Sequence, residues 1–332
     1  MCSSDLMARS IAAPDGATLQ VRDWTPSEPP WAHVLLVHGV AEHAGRYDRT
    51  GRLLADAGIA VTGYDHRGHG GSSGRRGDVH SWHDLTDDVG RMLAEVRGRA
   101  DGRPVAILAH SMGGLVTLDA VLGGAAAPDR LVLSAPGIDD ALPRWQHAIA
   151  PFAARIAPSL RLPNAWDGSA LSRDPEVARA AAADPLNLGA ASVRLGAGGF
   201  LAQRRVRHAI ASLPRMAMPT LVLHGEADPL VPAHATEALG RVPGVERRTY
   251  PGLRHELLNE PEGPAIVAEI ASWGDTKLAA HGLGAYIAQA TTEGDLSRVV
   301  LGVAMMCLFV LVVNRLVWRP LHAFSTRRLS FD

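Results

Sequence analysis

This sequence has few cysteines and almost no net charge. Only Cys2 and Cys307 occur among 332 residues, near opposite ends of the chain, so neither a disulfide framework nor a thiolate metal site is expected. The 33 lysines and arginines nearly balance the 34 aspartates and glutamates, which leaves a formal net charge of −1. A chain without a basic excess lacks the electrostatic footprint of nucleic-acid binding, and we set that class of partner aside.

A secretory signal is also lacking, because the opening MCSSDLMARS contains no apolar core of the required length. We interpret residues 1–8 as a leader outside the folded domain, with Met7 as an alternative start. The one long apolar run lies at the other end, VVLGVAMMCLFVLVV at residues 299–313. Extended to residue 318 it has the ~20 residues that cross a bilayer. Residues 299–318 are therefore a candidate transmembrane helix, and a buried core helix is the alternative.

Between the two ends, short aliphatic segments alternate with longer helical patterns. Two of the helical patterns are RYDRTGRLLADAG from Arg46 and WHDLTDDVGRMLAEVRGR from Trp82. Several strand candidates are continuous apolar runs, as expected of strands covered on both faces. The alternation predicts an α/β fold with a mostly parallel central sheet. The strand candidates are residues 33–39, 58–65, 104–110, 130–136, 220–228 and 245–252.

Residues 137–218 interrupt this alternation, since they contain no convincing strand and are rich in alanine, arginine and proline. We predict that this segment, called the cap from here on, forms a helical cap over the sheet. Within it Trp145, Ile149 and Phe152 recur at helical spacing and form one apolar face. We interpret these three residues as substrate-binding, lining an apolar path, and an ordinary packed helix is the alternative.

Ser111 follows a strand candidate and precedes a helical pattern in the stretch LAHSMGG. This is the context of a nucleophile elbow, a tight strand-to-helix turn that presents a serine hydroxyl at the edge of a sheet. Gly113 lies where a side chain would clash within the turn. Ala109 replaces the glycine usual two places before the nucleophile and adds only a methyl group. Serine–glycine pairs are common, so it is the flanking strand and helix that favour an activated serine.

The acid and the base of a serine triad follow the serine in chain order in this kind of fold. Asp228 ends a strand candidate and is the predicted acid, with Glu226 as its nearest rival. Asp119 is disfavoured because it falls inside the helix after the elbow. His255 follows the last strand candidate and is the predicted base, which a carboxylate holds in the tautomer that accepts the serine proton. Taken singly, each residue has an ordinary alternative, a turn aspartate or a surface histidine.

Acyl transfer also needs hydrogen-bond donors for the oxyanion of the tetrahedral intermediate. The backbone N–H of Met112, directly after the serine, is one predicted donor. The second is the N–H of Val40, in the loop VHGVAEHAGRY that follows the first apolar strand. A plain connecting loop is the alternative for Val40.

Histidines and glycines elsewhere raise two other kinds of site. Three histidine pairs lack the carboxylate and cysteine neighbours of a closed ligand set, so no metal is predicted. The stretch DHRGHGGSSGRRG at residues 65–77 lacks the lysine and the spacing of a phosphate-binding loop, and we interpret it as structural. No cofactor is expected. The histidine pairs are His38 and His43, His66 and His69, and His80 and His83.

Six stretches taken together resemble the monoacylglycerol lipase and lysophospholipase group of α/β-hydrolases: HGVAEHAGRY, YDHRGHGGSSGRRG, AHSMGG, SALSRDPEV, ADPL and LVLHGEADPLVP. The resemblance spans about residues 9–265. It implies an α/β-hydrolase fold with a helical cap, and a serine hydrolase that cleaves carboxylic esters of glycerol or similar alcohols. A thioesterase or an acyltransferase with the same triad is the alternative. In the implied roles the nucleophile is Ser111, the acid Asp228, the base His255, and the oxyanion donors Val40 and Met112.

About residues 266–332 resemble a different family, the C-terminal end of an ABC-transporter permease of the nitrate/taurine type. The earlier spans of such a permease are absent from this sequence, so it cannot form a pore alone. Four arginines after the apolar run favour a cytoplasmic C-terminus, which would place the hydrolase body across the membrane without a signal. We interpret the chain as a spurious join of two reading frames or a chimaera, and a membrane-transport component with an incidental hydrolase region is the alternative. The arginines are Arg315, Arg319, Arg327 and Arg328.

The expected organisation is a leader (1–8), a hydrolase core in two parts (9–136 and 219–272), the cap (137–218) between them, and a hydrophobic helical tail (273–332). The expected partner is a small lipid ester. The hydrolase body is expected in the cytoplasm, with membrane association through the tail if the tail is genuine. Acyl-chain length and oligomeric state are left open by the sequence.

Overall fold

The computed structural model describes residues 7–164 and 168–273, together with residues 300 and 305. The chain divides into two compact units, Met1–Leu278 and Ala279–Asp332. Of the predicted tail, only residues 273, 300 and 305 are described. The candidate transmembrane helix at 299–318 therefore lies outside the described residues, except for residues 300 and 305. Within the described ranges, no helix combines the length and the apolar content that crossing a bilayer requires.

An eight-stranded sheet in the order β1-β2-β4-β3-β5-β6-β9-β10 organises the first unit. The strand β2 is antiparallel to both of its neighbours, and the six strands from β4 to β10 in this order are parallel. The mostly parallel sheet expected from the alternation of elements is confirmed. The strands are β1 Met7–Ala12, β2 Thr18–Trp24, β3 Ala32–Val37, β4 Ile59–Tyr64, β5 Val105–His110, β6 Arg130–Ser134, β7 Arg161–Pro163, β8 Ala190–Ser192, β9 Thr220–Gly225 and β10 Val245–Tyr250.

The edge of the sheet at β1 and β2 differs from the sequence-based expectation. Neither strand was among the candidates, and β1 begins inside the predicted leader, since the backbone of Met7 and Ala8 pairs with Asp23 and Arg22. The boundary predicted after residue 8 is therefore two residues too late. Edge strands need only one covered face, so their polar residues hide the apolar pattern that identifies central strands.

Side chains of the central strands alternate between the two faces of the sheet, because successive residues of a strand point in opposite directions. In β3, Leu35 and Val37 join a cluster with α2, α3 and α6, whereas Val34 and Leu36 join a second cluster with α1 and α8. Each fully buried side chain of this size contributes about 1.5–3 kcal/mol relative to an exposed one. The helices are α1 Asp48–Asp56, α2 Trp82–Arg99, α3 Met112–Leu122, α4 Arg144–Ile156, α5 Pro175–Ala183, α6 Val193–Ser212, α7 Glu237–Gly240 and α8 Gly263–Ser272.

The cap lies between β6 and β9 in the chain and contains α4, α5, α6 and the short antiparallel ladder of β7 and β8. That ladder was not expected from the sequence, because three-residue strands are too short to show a period. Several backbone hydrogen bonds tie the cap to loops of the core, and two of them reach the segments after β3 and β4. The N–H of Leu188 donates to the carbonyl of Ala41 (2.9 Å), and the N–H of Ser192 donates to that of Gly77 (2.7 Å).

Candidate active site

Ser111 occupies the turn between β5 and α3, with φ 51° and ψ −120°. A positive φ is strained for a residue with a Cβ, so the surrounding structure has to hold this turn. The glycines that follow provide the room. A Cβ on Gly113 would lie 2.4 Å from the carbonyl oxygen of His38, and one on Gly114 would lie 2.8 Å from the Cβ of Pro136. The helix therefore begins directly after the serine only because both positions lack a side chain.

Ala109, the departure from the usual elbow pattern, is accommodated within β5. It pairs with Val37 of β3 and Leu133 of β6 and is fully buried. Its methyl group packs in the cluster that covers the α2 and α3 face of the sheet. The extra methyl group thus fills core space, and the turn keeps the positive φ of Ser111.

The structure brings together the three side chains predicted as nucleophile, base and acid. The Oγ atom of Ser111 lies 2.8 Å from Nε2 of His255, and Nδ1 of that ring lies 2.7 Å from Oδ2 of Asp228. Asp228 follows β9 and His255 follows β10, and these adjacent strands are parallel. Their carboxyl ends therefore meet at one edge of the sheet, beside the elbow. An imidazole placed in this way can accept the serine proton.

Asp228 is held in place by more than the imidazole. Its Oδ1 accepts the N–H groups of Leu230 (2.8 Å) and Val231 (3.0 Å), and Nε2 of His224 lies 3.3 Å from Oδ2. Burial raises the pKa of Asp228, but hydrogen bonding to His224 and His255 outweighs burial and lowers the pKa below its ordinary value. The carboxylate is therefore ionised at neutral pH. His224 was not predicted, since a histidine inside an apolar strand carries no signal of such a contact.

The pKa of His255 is shifted in the opposite direction. Burial lowers it, but the hydrogen bond and the charge of Asp228 more than compensate, and the pKa of His255 is raised above its ordinary value. A raised pKa means that the imidazolium is stabilised. That is the form the ring takes once it has accepted a proton from Ser111.

The two rival carboxylates contact other partners. Glu226 is exposed and accepts a hydrogen bond from Oγ1 of Thr249 (2.7 Å). Asp119 accepts the indole N–H of Trp82 (2.8 Å) and pairs with Arg205 (2.6 Å). Asp119 thus links α3 to α2 and to α6 of the cap. Its role in the structure is to join elements around the site.

Both predicted oxyanion donors line the cavity beside Ser111. Met112 is the first residue of α3, and the first N–H groups of a helix have no acceptor within it. Val40 follows Gly39, whose N–H donates to Oε1 of Glu42. Among the described residues, no hydrogen bond uses the N–H of Val40. Val40 and Met112 thus border the space beside Ser111, and their role as donors to an oxyanion stays a prediction.

A buried group of charged side chains beside the triad was missed by the sequence analysis. Arg46 lies between two carboxylates, 3.2 Å from Oε2 of Glu42 and at 2.6 and 2.8 Å from the two oxygens of Glu256. The hydroxyl of Tyr47 donates to Oε1 of Glu42 (2.8 Å). Burial raises the pKa of Glu42 to about 7, against the opposing charge of Arg46. Glu42 and Arg46 lie in a stretch singled out for its motif, but no spacing relates them to Glu256.

Three of the six histidines considered as metal ligands pack against one another, and His80 and His83 are exposed. The rings of His38, His66 and His69 lie with centroids 4.4 to 6.1 Å apart, and Nε2 of His38 accepts the N–H of His66 (2.8 Å). Burial lowers the pKa of His66 to about 3 and that of His69 to about 4, so these rings are neutral. His43 instead pairs with Asp184 of the cap (2.8 Å).

A cavity of about 450 Å³ adjoins Ser111 and is lined by residues of both the core and the cap. Its charged wall lies next to Tyr47 and Leu257, which belong to the cluster on the α1 and α8 face of the sheet. Its apolar wall belongs largely to the cluster on the other face. The lining therefore offers both charged and apolar side chains. The charged wall comprises Glu42, Arg46 and Glu256, the apolar wall comprises Trp82, Met112, Leu115, Leu195 and Phe200, and Asp139, Asp140 and Asp184 also line the cavity.

The apolar face predicted in the cap is present but does not line this cavity. Trp145, Ile149 and Phe152 lie on α4, are each more than half exposed, and are not among the lining residues. The substrate path inferred for them is therefore corrected: the lining of the cavity from the cap comes from α5, α6 and the segments that connect the elements of the cap. Helical spacing identifies residues that share a face, but it does not identify what that face contacts.

The strand order, the elbow and the relation of serine, histidine and aspartate define an α/β-hydrolase of the serine type. A family model described as "Serine aminopeptidase, S33" matches residues 28–262, and the chain belongs to this family. The monoacylglycerol lipase of Mycolicibacterium smegmatis is 34% identical over 287 residues, which cover 82% of this chain and 98% of that protein. The monoglyceride lipase of Homo sapiens is 33% identical, covering 81% of this chain and 90% of that protein.

A solved structure supports the same fold. The crystal structure of the Paleococcus ferrophilus monoacylglycerol lipase, 29% identical in sequence, superposes with a TM-score of 0.69 and covers 77% of this chain and 97% of that chain. The resemblance of residues 273–332 to a permease lies beyond the residues that the family model matches. The findings thus support the hydrolase part of the sequence-based interpretation.

Proposed function

We propose that this serine ester hydrolase cleaves monoacylglycerols or closely similar lipid esters, with Ser111 as its nucleophile. The observation that carries the proposal is the pair of contacts made by one imidazole. Nε2 of His255 lies 2.8 Å from Oγ of Ser111, and Nδ1 lies 2.7 Å from Oδ2 of Asp228. This geometry matches the roles of base, nucleophile and acid in acyl transfer.

The proposed reaction proceeds through an acyl-enzyme. His255 takes the hydroxyl proton of Ser111 as Oγ bonds to the ester carbonyl carbon, and the N–H groups of Val40 and Met112 receive the resulting oxyanion. The imidazolium, stabilised by Asp228, then gives its proton to the departing alkoxide as the carbon–oxygen bond breaks. Water, deprotonated by the same histidine, attacks the acyl-enzyme, releasing the carboxylic acid and restoring the serine.

The two walls of the cavity support an amphipathic substrate. An acyl chain gains free energy by contact with the apolar wall, at about 25 cal/mol per Å² buried. A polyol keeps its hydrogen bonds only against polar groups, which the charged wall offers. A glycerol monoester carries both parts on either side of one carbonyl. The names of the relatives from M. smegmatis and H. sapiens agree with this substrate class.

The proposal is tested with the full chain, a fluorophosphonate probe and a glycerol-release assay. Wild-type protein should take up the probe covalently and release glycerol from a monoacylglycerol, and Ser111→Ala should do neither. Ser134→Ala is the matched control, since Ser134 is a buried serine at the end of the neighbouring strand. Absence of labelling in the wild type would refute the proposal. Because the family model is described as an aminopeptidase, faster cleavage of an aminoacyl p-nitroanilide than of the ester would also refute it.

For residues 273–332 we propose membrane association, and this proposal rests on the sequence alone. The apolar run at residues 299–313 supports membrane association through a helix at about 299–318. Sedimentation of the full chain with lipid vesicles, compared with a variant that carries two lysines in place of Leu308 and Val310, tests this proposal. Equal amounts of both proteins in the vesicle pellet would contradict it.

A further inference from the structure

Arg46 joins two chain segments that both border the reacting atoms. One partner, Glu42, lies in the loop after β3 that also carries Val40, and the other, Glu256, directly follows His255. The guanidinium makes two hydrogen bonds to Glu256 and one to Glu42. Each of the three side chains is nearly or fully buried. Proton transfer between Ser111 and the base does not by itself require this group.

On the side of the oxyanion donors, the loop depends on Glu42. Its carboxylate reaches back to accept the N–H of Gly39, and among the described residues no hydrogen bond uses the next N–H in the chain, that of the cavity-lining Val40. The loop lies directly against the nucleophile, since a Cβ on Gly39 would be 3.0 Å from the Cβ of Ser111. Ala41 has a φ of 65°, a strained conformation for alanine that persists only where neighbouring bonds hold it.

On the side of the base, the same guanidinium holds the segment after β10. A paired, charge-assisted contact between arginine and a carboxylate fixes direction as well as distance. The other bonds of Glu256 hold its segment too: its N–H donates to the carbonyl of Leu171 (2.7 Å), and its carboxylate accepts from Nδ2 of Asn259 (2.8 Å). His255 precedes this anchored residue, so its backbone cannot move without stretching these contacts.

We propose that Arg46, held between Glu42 and Glu256, is a positioning residue. It fixes the loop after β3, which carries Val40, relative to the general base His255. At pH values above the pKa of Glu42, which is about 7, the group also carries one more negative than positive charge, and this charge favours the imidazolium form of His255. The inference rests on the proposed function, because it assigns a task within that reaction.

Several charged and titratable groups surround His255. Asp228, Glu256 and Glu42 each raise the pKa of His255, against the lowering effect of burial. The ring of His110 lies with its centroid 4.8 Å away, and burial keeps the pKa of His110 well below its ordinary value, so that this ring stays neutral. His224 contacts Asp228, and Tyr47 contacts Glu42. Removing one carboxylate from this set should therefore lower the pKa of His255.

Glu42→Gln is the principal test, because glutamine keeps the shape of the side chain and loses the charge. We expect kcat for a soluble ester to fall by about tenfold or more, while KM changes by less than about threefold, since the change acts on geometry at the reacting atoms. The acidic limb of the pH–rate profile should move to lower pH. Arg46→Lys, which keeps the charge but loses the paired contact, should lower kcat without the same displacement of the limb.

Asp88→Asn is the matched control. Asp88 is a fully buried carboxylate of α2 that pairs with two arginines, Arg67 and Arg91. It should leave both the acidic limb and kcat close to the wild-type values. An unmoved limb and an unchanged kcat in Glu42→Gln would overturn the inference, and so would a rise in KM alone. If Glu42→Gln does not fold, Glu256→Gln replaces it with the same expected results. A wild type that neither labels nor hydrolyses esters would instead overturn the proposed function.

Discussion

The Nδ1 atom of His255 lies 2.7 Å from Oδ2 of Asp228, and the other carboxylate oxygen is held by two backbone N–H groups. These bonds leave the aspartate little freedom to rotate. The imidazole must therefore point its N–H at Nδ1 toward the carboxylate and its lone pair at Nε2 toward Ser111. Tautomer and orientation are both set by one side chain.

Asp228→Asn should lower kcat by about 10⁴-fold, because an amide offers an N–H to Nδ1 and favours the wrong tautomer. His255→Ala should cost more, about 10⁶-fold, since it removes the base itself. Steady-state turnover of a p-nitrophenyl ester measures both losses. Glu226→Gln is the control, and it should retain wild-type turnover because Glu226 contacts Thr249 on the surface. A large loss in that variant would instead identify Glu226 as the acid.

The activity of the wild type should fall as the pH is lowered through the pKa of His255. That pKa is raised above the ordinary value of 6.5, and only the neutral ring can accept the proton of Ser111. Activity is therefore fully present above the raised pKa and lost below it, so the midpoint of the acidic limb should lie above pH 6.5. A profile of kcat/KM between pH 5 and pH 9 measures the midpoint. In Asp228→Asn the main cause of the raised pKa is gone, and the limb should move to lower pH.

Ala109→Gly should weaken the fold and leave the chemistry unchanged. It removes a fully buried methyl group, worth about 0.8 kcal/mol, and adds the conformational entropy of glycine in a strand, about 0.5–1 kcal/mol. Urea unfolding should show both losses. Ala106→Gly in the same strand is the matched control, because Ala106 is only half-buried and loses mainly the entropic part. A kcat for Ala109→Gly that rises several-fold would mean that the methyl group does distort the elbow.

Gly196→Leu should shift the enzyme from long toward short acyl chains. Gly196 shares the cavity-facing side of α6 with Leu195, Gly199 and Phe200, and a Cβ there would meet nothing within 4 Å. A leucine side chain would therefore occupy cavity space that an acyl chain needs, and the ratio of kcat/KM for long over short monoesters should fall about tenfold. Gly98→Leu is the control, since Gly98 is an exposed helical glycine with equally open surroundings. An unchanged ratio in Gly196→Leu would place the acyl chain elsewhere.

Replacing Trp145 and Phe152 together by serine should leave both stability and turnover of a dissolved ester close to wild type. Both side chains are more than half exposed, and surface substitutions of this kind change the free energy of unfolding by about 0.5 kcal/mol or less. Turnover of a monoacylglycerol presented in vesicles should fall, because an exposed apolar face favours contact with a lipid aggregate. A loss on the dissolved ester as well would restore the cavity-lining role first inferred for α4.

The central strands could be predicted from the sequence to within two or three residues. The predicted strands ended too late after β9 and β10, where the residues that follow, up to Asp228 and Gly252, belong to the loops that carry the site. The edge strands β1 and β2 were missed because their polar residues obscure the period. Ser111, Asp228 and His255 could be predicted from their order in the chain and from their positions at the ends of strand candidates.

What the sequence could not provide is contact between distant segments. Arg46 and Glu256 are separated by 210 positions, and no local pattern relates them, although both lie within a few residues of predicted site residues. The apolar face of α4 shows the same limit in another form, since the spacing of Trp145 and Phe152 was correct while its contact was not. Periodicity and motifs report on local geometry, and partners across the fold follow only from the packing of elements.

The cap holds the loop that carries Val40 through two contacts, the hydrogen bond from Leu188 to Ala41 and the pairing of His43 with Asp184. A displacement of the cap away from the core would break both of these contacts with the loop. The position of the cap and the geometry of the loop that carries Val40 are therefore coupled through these two contacts.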